Sequence, residues 1–240
     1  MLQDFLSAVA VFFKGVGSPV KEGHIILAYA GIGVAVGLLV AMFFRSWLLF
    51  CLAVLVFGFC LYFFRDPLRY NQFAADEIAC PADGTVMSIK TEKDPDVLVI
   101  RIFLSIFDVH IQRATITGKV GEQVYHQGQF AFANAGNAAD NERNFIPITA
   151  ENGRYAHVEQ ITGAIARRIV SWVKNGQDVQ AGGKVGLIYF GSQVAVYVPA
   201  KSVRVIVREG QYVQGGITTL ALWADKPAPA APAAPAAPVQ

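Results

Sequence analysis

The chain has 240 residues and a formal net charge of +2, with 54% hydrophobic and only 16% charged residues and a mean hydropathy of +0.41. That balance is too apolar for an ordinary soluble domain. It is also too nearly neutral for a nucleic-acid binder, and no Lys/Arg cluster with interleaved aromatics supplies a local basic face. Nucleic acid drops out as a partner, and a membrane-associated protein of one large or two small domains is expected.

Residues 1–24 form a cytoplasmic N-terminal segment in this reading, and the excess apolarity follows it, between Ile25 and Phe64. Two uncharged stretches, about 25–43 and 47–64, flank Arg45, and each approaches the length needed to cross the hydrocarbon core. They predict a transmembrane helical hairpin, with a single long re-entrant element as the alternative. A cleavable signal peptide fits badly, because the stretch is too long, starts late and lacks a small-residue cleavage site. Lys14 and Lys21 precede the first stretch, Arg65 and Arg69 follow the second, and Arg45 alone marks the far side. The positive-inside rule then places both flanks in the cytoplasm, at the inner face of the cell membrane. Cys51 and Cys60 lie in the second stretch and Cys80 stands alone, which is no disulfide framework.

Past Arg69 the texture changes to short β-type runs punctuated by glycine, among them GTVMSI, VLVIRIFLSI, VGLIYF, QVAVYVP and VRVIVREG. Such spacing predicts a mainly β domain of sandwich or barrel type over residues 65–224. One stretch, 160–173, resists assignment. Ile161, Ile165, Ile169 and Val173 recur at helical spacing, whereas the β-branched content and Gly163 favour a strand. Near the end, NGQDVQAGGKVGLI (175–188) and EGQYVQGGITTLAL (209–222) share a Gly-Gln-x-Val-Gln core followed by glycines, as if one β-turn-β unit occurs twice. Residues 225–240 form a Pro/Ala tail with nothing to bury, for which extended disorder is expected.

The histidines are His24, His110, His126 and His157. With no Cys-x-x-Cys, no His-x-x-x-His and no carboxylate cluster near a histidine, no metal site is expected. P-loop and dinucleotide fingerprints are missing as well. Within the β-type run 188–199, Gly191-Ser192 stands where a glycine would ordinarily mark a bulge. The surrounding Gly-Ser-Gln-Val lacks the second glycine of a nucleophile elbow. Three other stretches carry reactive side chains: PADGTV around Asp83, FLSIFDVHIQRA around His110, and NERN at 141–144. Singly they read as a turn, a core histidine and a solvated loop.

Taken together and in order, FFRDP (63–67), Asp83-Gly84, FDVHIQRA (107–114), YHQGQF (125–130), NERN, QITGAIARRIV and FGSQVAVYVP resemble the phosphatidylserine decarboxylases, in particular their short form. The resemblance runs from about Phe63 to Leu222. It implies a proenzyme in which Ser192 Oγ attacks the carbonyl of Gly191, dividing the protein into a large chain 1–191 and a small chain 192–240. Ser192 would end as a covalent pyruvoyl group, the cofactor of the reaction. The amine of phosphatidylserine would condense with that group as a Schiff base and lose CO2, leaving phosphatidylethanolamine. By the same resemblance His110 would reprotonate the α-carbon, and Asp83 would orient or activate the base for processing. Many relatives carry a second histidine where this chain has Arg113, so the processing base stays open between His110 and another histidine such as His157. Gln193 and Phe190 replace threonine and leucine of many relatives.

A diacyl lipid leaves the bilayer at about 0.8 kcal/mol per exposed methylene, so the enzyme is expected to work at the interface. Arg113, Asn141 and Arg143 are candidates for binding the headgroup, with Arg167 and Arg168 as further cations; an arginine fork suits a phosphodiester. Two other classes would use the same residues: a membrane-tethered lipoyl-like β adaptor without catalysis, and a Ser-His-Asp hydrolase with a free Ser192 hydroxyl. A homo-oligomer is compatible with this reading.

Overall fold

The computed structural model describes residues 17–44, 47–69, 71–92, 94–128, 141–163, 168–189 and 192–224. It divides into two units, Met1–Leu68 and Arg69–Gln240. In the first, β1 (Ser18–Pro19) pairs antiparallel with β2 (Arg65–Asp66), bracketing α1 (His24–Phe44) and α2 (Leu48–Phe63). Because β2 pairs back onto β1, residues 65–66 belong with the helices rather than with the β domain that follows.

Uninterrupted apolar sequence without proline suits a helix, which satisfies its own backbone groups where water is absent. Ile25, Tyr29, Met42 and Phe43 on α1 and Leu48 and Leu55 on α2 are exposed. A helix of a soluble domain turns such residues inward. The helical stretch Lys21–Phe44 has 24 residues, enough to cross a bilayer. At 16 residues, α2 is shorter than the usual span of about 20. Of the two predicted spans, then, only the first has the length.

The second unit is mainly β, as expected. Its strands are β3 (Glu77–Ala79), β4 (Gly84–Thr91), β5 (Val97–Leu104), β6 (Ile111–Arg113), β7 (Gly118–Val120), β8 (Val124–His126), β9 (Arg143–Ile146) and β10 (Ile148–Thr149). They continue with β11 (His157–Thr162), β12 (Ile169–Ser171), β13 (Asp178–Val179), β14 (Lys184–Ile188), β15 (Ser192–Pro199), β16 (Val203–Val205), β17 (Tyr212–Val213) and β18 (Thr219–Trp223). Among the described residues, a seven-stranded antiparallel sheet runs β17-β4-β5-β15-β11-β9-β8, and three-stranded sheets run β10-β7-β13, β12-β14-β6 and β16-β18-β3.

The large sheet is built around β5 and β15, whose Val/Ile-rich runs are buried on both faces. Alternation assigns the faces. Ile100, Ile102, Leu104, Val194, Val196 and Val198 join Ile78, Val120, Val185 and Ile188 of the smaller sheets in the main core. Val97, Val99, Ala195 and Ile161 form a second cluster on the opposite face. Burying one such Val or Ile contributes about 1.5–3 kcal/mol, so the pair β5–β15 anchors the domain.

The ambiguous stretch 160–173 is strand on both sides of residues 164–167, which lie outside the described residues. Its helical periodicity is coincidental: Ile161 packs in the outer cluster, whereas Val173 belongs to the main core. The repeat does have a structural counterpart. In each copy the glutamine side chain accepts the backbone N–H three residues before it, Lys174 N to Gln177 and Arg208 N to Gln211. A two-residue strand follows, β13 or β17.

Candidate active site

Ser192 opens β15 and pairs with Leu104 on β5 and Thr162 on β11. Thr162 N donates to Glu142 O (2.9 Å), and Asn141 Nδ2 donates to Thr162 O (2.8 Å), so the row continues to the NERN segment. On the other side the row reaches Gly84, where an added Cβ would stand 2.0 Å from Phe103 O. Paired residues share a face, which places Ser192 and Thr162 on the side of the main core. The Ser192 hydroxyl is fully buried and has no hydrogen-bond partner among the described residues. Most buried hydroxyls are paired, and an unpaired one calls for a chemical explanation.

The approach to Ser192 crosses between sheets. β14 pairs with β6 in a three-stranded sheet, Ile188 N donates to His110 O (3.2 Å) and Tyr189 N to Arg168 O (3.1 Å). Ser192 then starts in the seven-stranded sheet. Gly191 and Phe190 lie outside the described residues. His110 is therefore tied to this crossing four residues before Ser192, and it follows Leu104, the Ser192 partner, by six residues. Between them a tight turn is held by Asp108, whose Oδ2 accepts Ser105 N (2.7 Å) and whose Oδ1 accepts Tyr212 OH (2.9 Å). His110 is buried, and its Nδ1 lies 3.0 Å from Asp108 O. A carbonyl only accepts, so Nδ1 carries the hydrogen and, in the neutral ring, Nε2 is the basic nitrogen.

His157 sits differently. It pairs with Tyr197, five residues down the ladder from the Ser192–Thr162 pair, about 16 Å away at strand rise. Its Nδ1 accepts Ile148 N (3.0 Å), its ring stacks on Tyr155 and meets Phe145 edge-on, and burial lowers its pKa to about 4. An unfolded histidine protonates near 6.5. The neutral ring thus contributes its full share of stability above pH 6.5 and loses it as pH falls towards 4, about 3 kcal/mol in all. Unfolding in detergent at a series of pH values should show that slope in the wild type and a shallower one in His157→Gln. Identical slopes would contradict this account.

Asp83 is buried and fully engaged, but not by a histidine. Its Oδ1 and Oδ2 receive Arg69 Nη1 (2.5 Å) and Nη2 (2.6 Å), and Oδ1 also accepts Gly215 N (2.8 Å). Arg69 Nη1 donates in addition to Gly215 O. The pair thus locks the start of β4 about two strand spacings, roughly 10 Å, from Ser192. Arg69, read from sequence as a charge flanking the membrane segment, has a side chain only 5% exposed. It holds Asp83, and no local spacing announces a pair 14 residues apart.

The headgroup arginines fare less well. Arg113 is buried, with Nη1 donating to Gly182 O (2.8 Å) and Cδ against Gly216, the place where the two copies of the repeat meet. Arg143 pairs with Ile161 and so turns to the outer face, away from Ser192. There its Nη1 lies 3.8 Å from Glu159, and its Nε donates to Asn141 O (3.2 Å). Arg167 lies outside the described residues, and Arg168 is exposed. Of the predicted substrate residues, only Asn141 is brought to the Ser192 row. Sequence reasoning missed Glu142, which is buried on that row and accepts Tyr125 OH. Cys80 offers no second nucleophile, since burial pushes its thiol up to about 12.

The chain, with an apolar N-terminal helix, a mainly β domain, a buried Ser192 hydroxyl unpaired among the described residues and a buried His110 whose carbonyl accepts Ile188 N, matches known proteins along most of its length. The family profile described as phosphatidylserine decarboxylase matches residues 56–221. A phosphatidylserine decarboxylase proenzyme of Beijerinckia indica is 40% identical over 207 residues, covering 81% of this chain and 88% of the relative. Proenzymes of the same description from Carboxydothermus hydrogenoformans (40% over 208 residues, 83% and 94% covered) and Gluconobacter oxydans (43% over 173 residues, 68% and 76% covered) are similar. These matches put the chain among the decarboxylases. It belongs to the phosphatidylserine decarboxylase family.

Proposed function

We propose that the chain is a self-processing, pyruvoyl-dependent decarboxylase that converts phosphatidylserine to phosphatidylethanolamine and CO2. The observation that carries this is the Ser192 hydroxyl, buried and unpaired among the described residues at the start of β15, with His110 O bound to Ile188 N at the end of β14. The relatives are proenzymes, which supports cleavage. Ser192 Oγ attacks the carbonyl carbon of Gly191, giving its proton to a base as the C–N bond is replaced by a C–O ester. Removal of the Ser192 Cα proton expels the carboxylate of chain 1–191, and water converts the remaining residue to a pyruvoyl group plus ammonia.

The pyruvoyl ketone supplies the electron sink that decarboxylation of an amino acid requires. The other tasks fall to side chains. His110, with Nδ1–H fixed on Asp108 O, offers Nε2 to take the proton in processing and to return one to the α-carbon in turnover. His157, about 16 Å off by strand rise, is too far to share either role. Asp83 acts through Arg69 and Gly215 N–H to hold the neighbouring strand end, and Asn141 does the same for Thr162.

The apolar helices fit a lipid substrate. In this reading α1, with α2 completing a hairpin, keeps the enzyme at the inner membrane with its β domain on the cytoplasmic side. A denaturing mass measurement on purified protein tests the whole proposal. Two fragments, 1–191 and 192–240, the smaller beginning with pyruvoyl, are expected. An intact chain in an active preparation would rule the mechanism out, and labelling of Ser192 by a serine-directed phosphonate would favour a hydrolase.

A further inference from the structure

One side-chain layer behind Ser192, on the same face of the sheet, the core stops being apolar. Gln160 on β11 pairs with Asn144 on β9 and Val194 on β15, and Gln112 meets it from β6. Asn144 Nδ2 donates to Gln160 Oε1 (3.0 Å), Gln160 Nε2 donates to Gln112 Oε1 (2.9 Å), and Gln112 Nε2 donates to His110 O (2.7 Å). Asn144 Nδ2 also reaches Gln123 Oε1 (3.2 Å) and Gln160 Nε2 also reaches Val170 O (3.4 Å), and the chain ends on the peptide carbonyl that also accepts Ile188 N. Gln112 and Gln160 are fully buried, and Asn144 nearly so.

Amides in a core cost free energy unless every polar atom finds a partner, and apolar residues of like size would serve packing at lower risk. The fold even omits a side chain to admit this layer: a Cβ at Gly186 would stand 2.6 Å from Gln160 Nε2. We infer that Asn144, Gln160 and Gln112 form a positioning chain that fixes His110 relative to Ser192. It ties β11, the strand beside Ser192, to β6, the strand that starts directly after His110. The inference rests on the proposed role of His110.

Gln112→Glu is the direct test. It keeps the volume and the acceptor for Gln160 and, as a carboxylate, cannot donate to His110 O, so its effect should grow as pH rises. Gln112→Met removes the donor without adding charge, and Gln160→Leu cuts the chain one link earlier. Each should slow self-cleavage of newly made precursor, and each should lower kcat of the cut enzyme about 10- to 100-fold with KM nearly unchanged, the scale of a misplaced group. The limb of the pH–rate profile that reports the proton-holding group should move as well. Wild-type cleavage half-times and an unshifted profile in Gln112→Met would overturn the inference. So would losses that merely follow the unfolding midpoint and vanish on cooling. A wild-type chain that never cuts at 191/192 would instead bring down the proposed function.

Discussion

Replacing Ser192 with alanine yields one uncut chain of 240 residues that releases no CO2 from phosphatidylserine vesicles. Both losses come from a single atom, because Oγ is the group proposed to break the main chain and its carbon skeleton is the source of the ketone. Stability should not fall with activity. In the folded protein that oxygen is buried and unpaired among the described residues. Removing an unsatisfied buried hydroxyl recovers part of its desolvation cost, about 1 kcal/mol or more. The Ser192→Ala chain is therefore expected to unfold in detergent at a midpoint no lower than that of uncut wild-type protein. Gel analysis, CO2 release and the unfolding midpoint together separate lost chemistry from lost folding. Residual decarboxylation by the alanine variant would end the proposal.

His110→Asn is expected to leave the fold intact while slowing self-cleavage and lowering kcat of the fraction that is cut about 10²- to 10⁴-fold, the usual worth of a positioned acid or base. Asparagine can still donate to Asp108 O, as Nδ1 does now, so the turn 105–110 keeps its anchor. What it lacks is a nitrogen that takes and returns a proton near neutral pH. Alanine is the poorer probe, since His110 is 1% exposed and truncation opens a cavity beside the crossing. Steady-state CO2 release by the cut His110→Asn enzyme, with KM for vesicles compared in parallel, checks this. An unchanged kcat would take His110 out of turnover.

The strands were readable where burial is two-sided. VLVIRIFL and QVAVYVP are long apolar runs because β5 and β15 are covered on both faces. The Gly-Gln-x-Val-Gln repeat was readable because its turn chemistry is local. Register was not. Whether Arg143 shares a face with Ser192 depends on its pairing with Ile161, a contact 18 residues away that composition does not encode. Asp83 was recognisable as an acid at a turn, but its partner was not, because Arg69 lies beyond any helical or hairpin spacing. Gln112, Gln160 and Asn144 look like surface alternation in sequence. Only the packing of β6 against β11 turns them into a buried layer.

The position of β15 in its sheet governs what a cut at 191/192 would leave. Ser192 to Pro199 is zipped to Val97–Leu104 on one side, and its first six residues to His157–Thr162 on the other. β17 and β18 add pairings to β4 and β3. The shorter product would thus be the middle stave of its sibling, and the two halves should travel as a split protein that parts only in denaturant. Severing one link there frees a new terminus to move while the stave keeps its place.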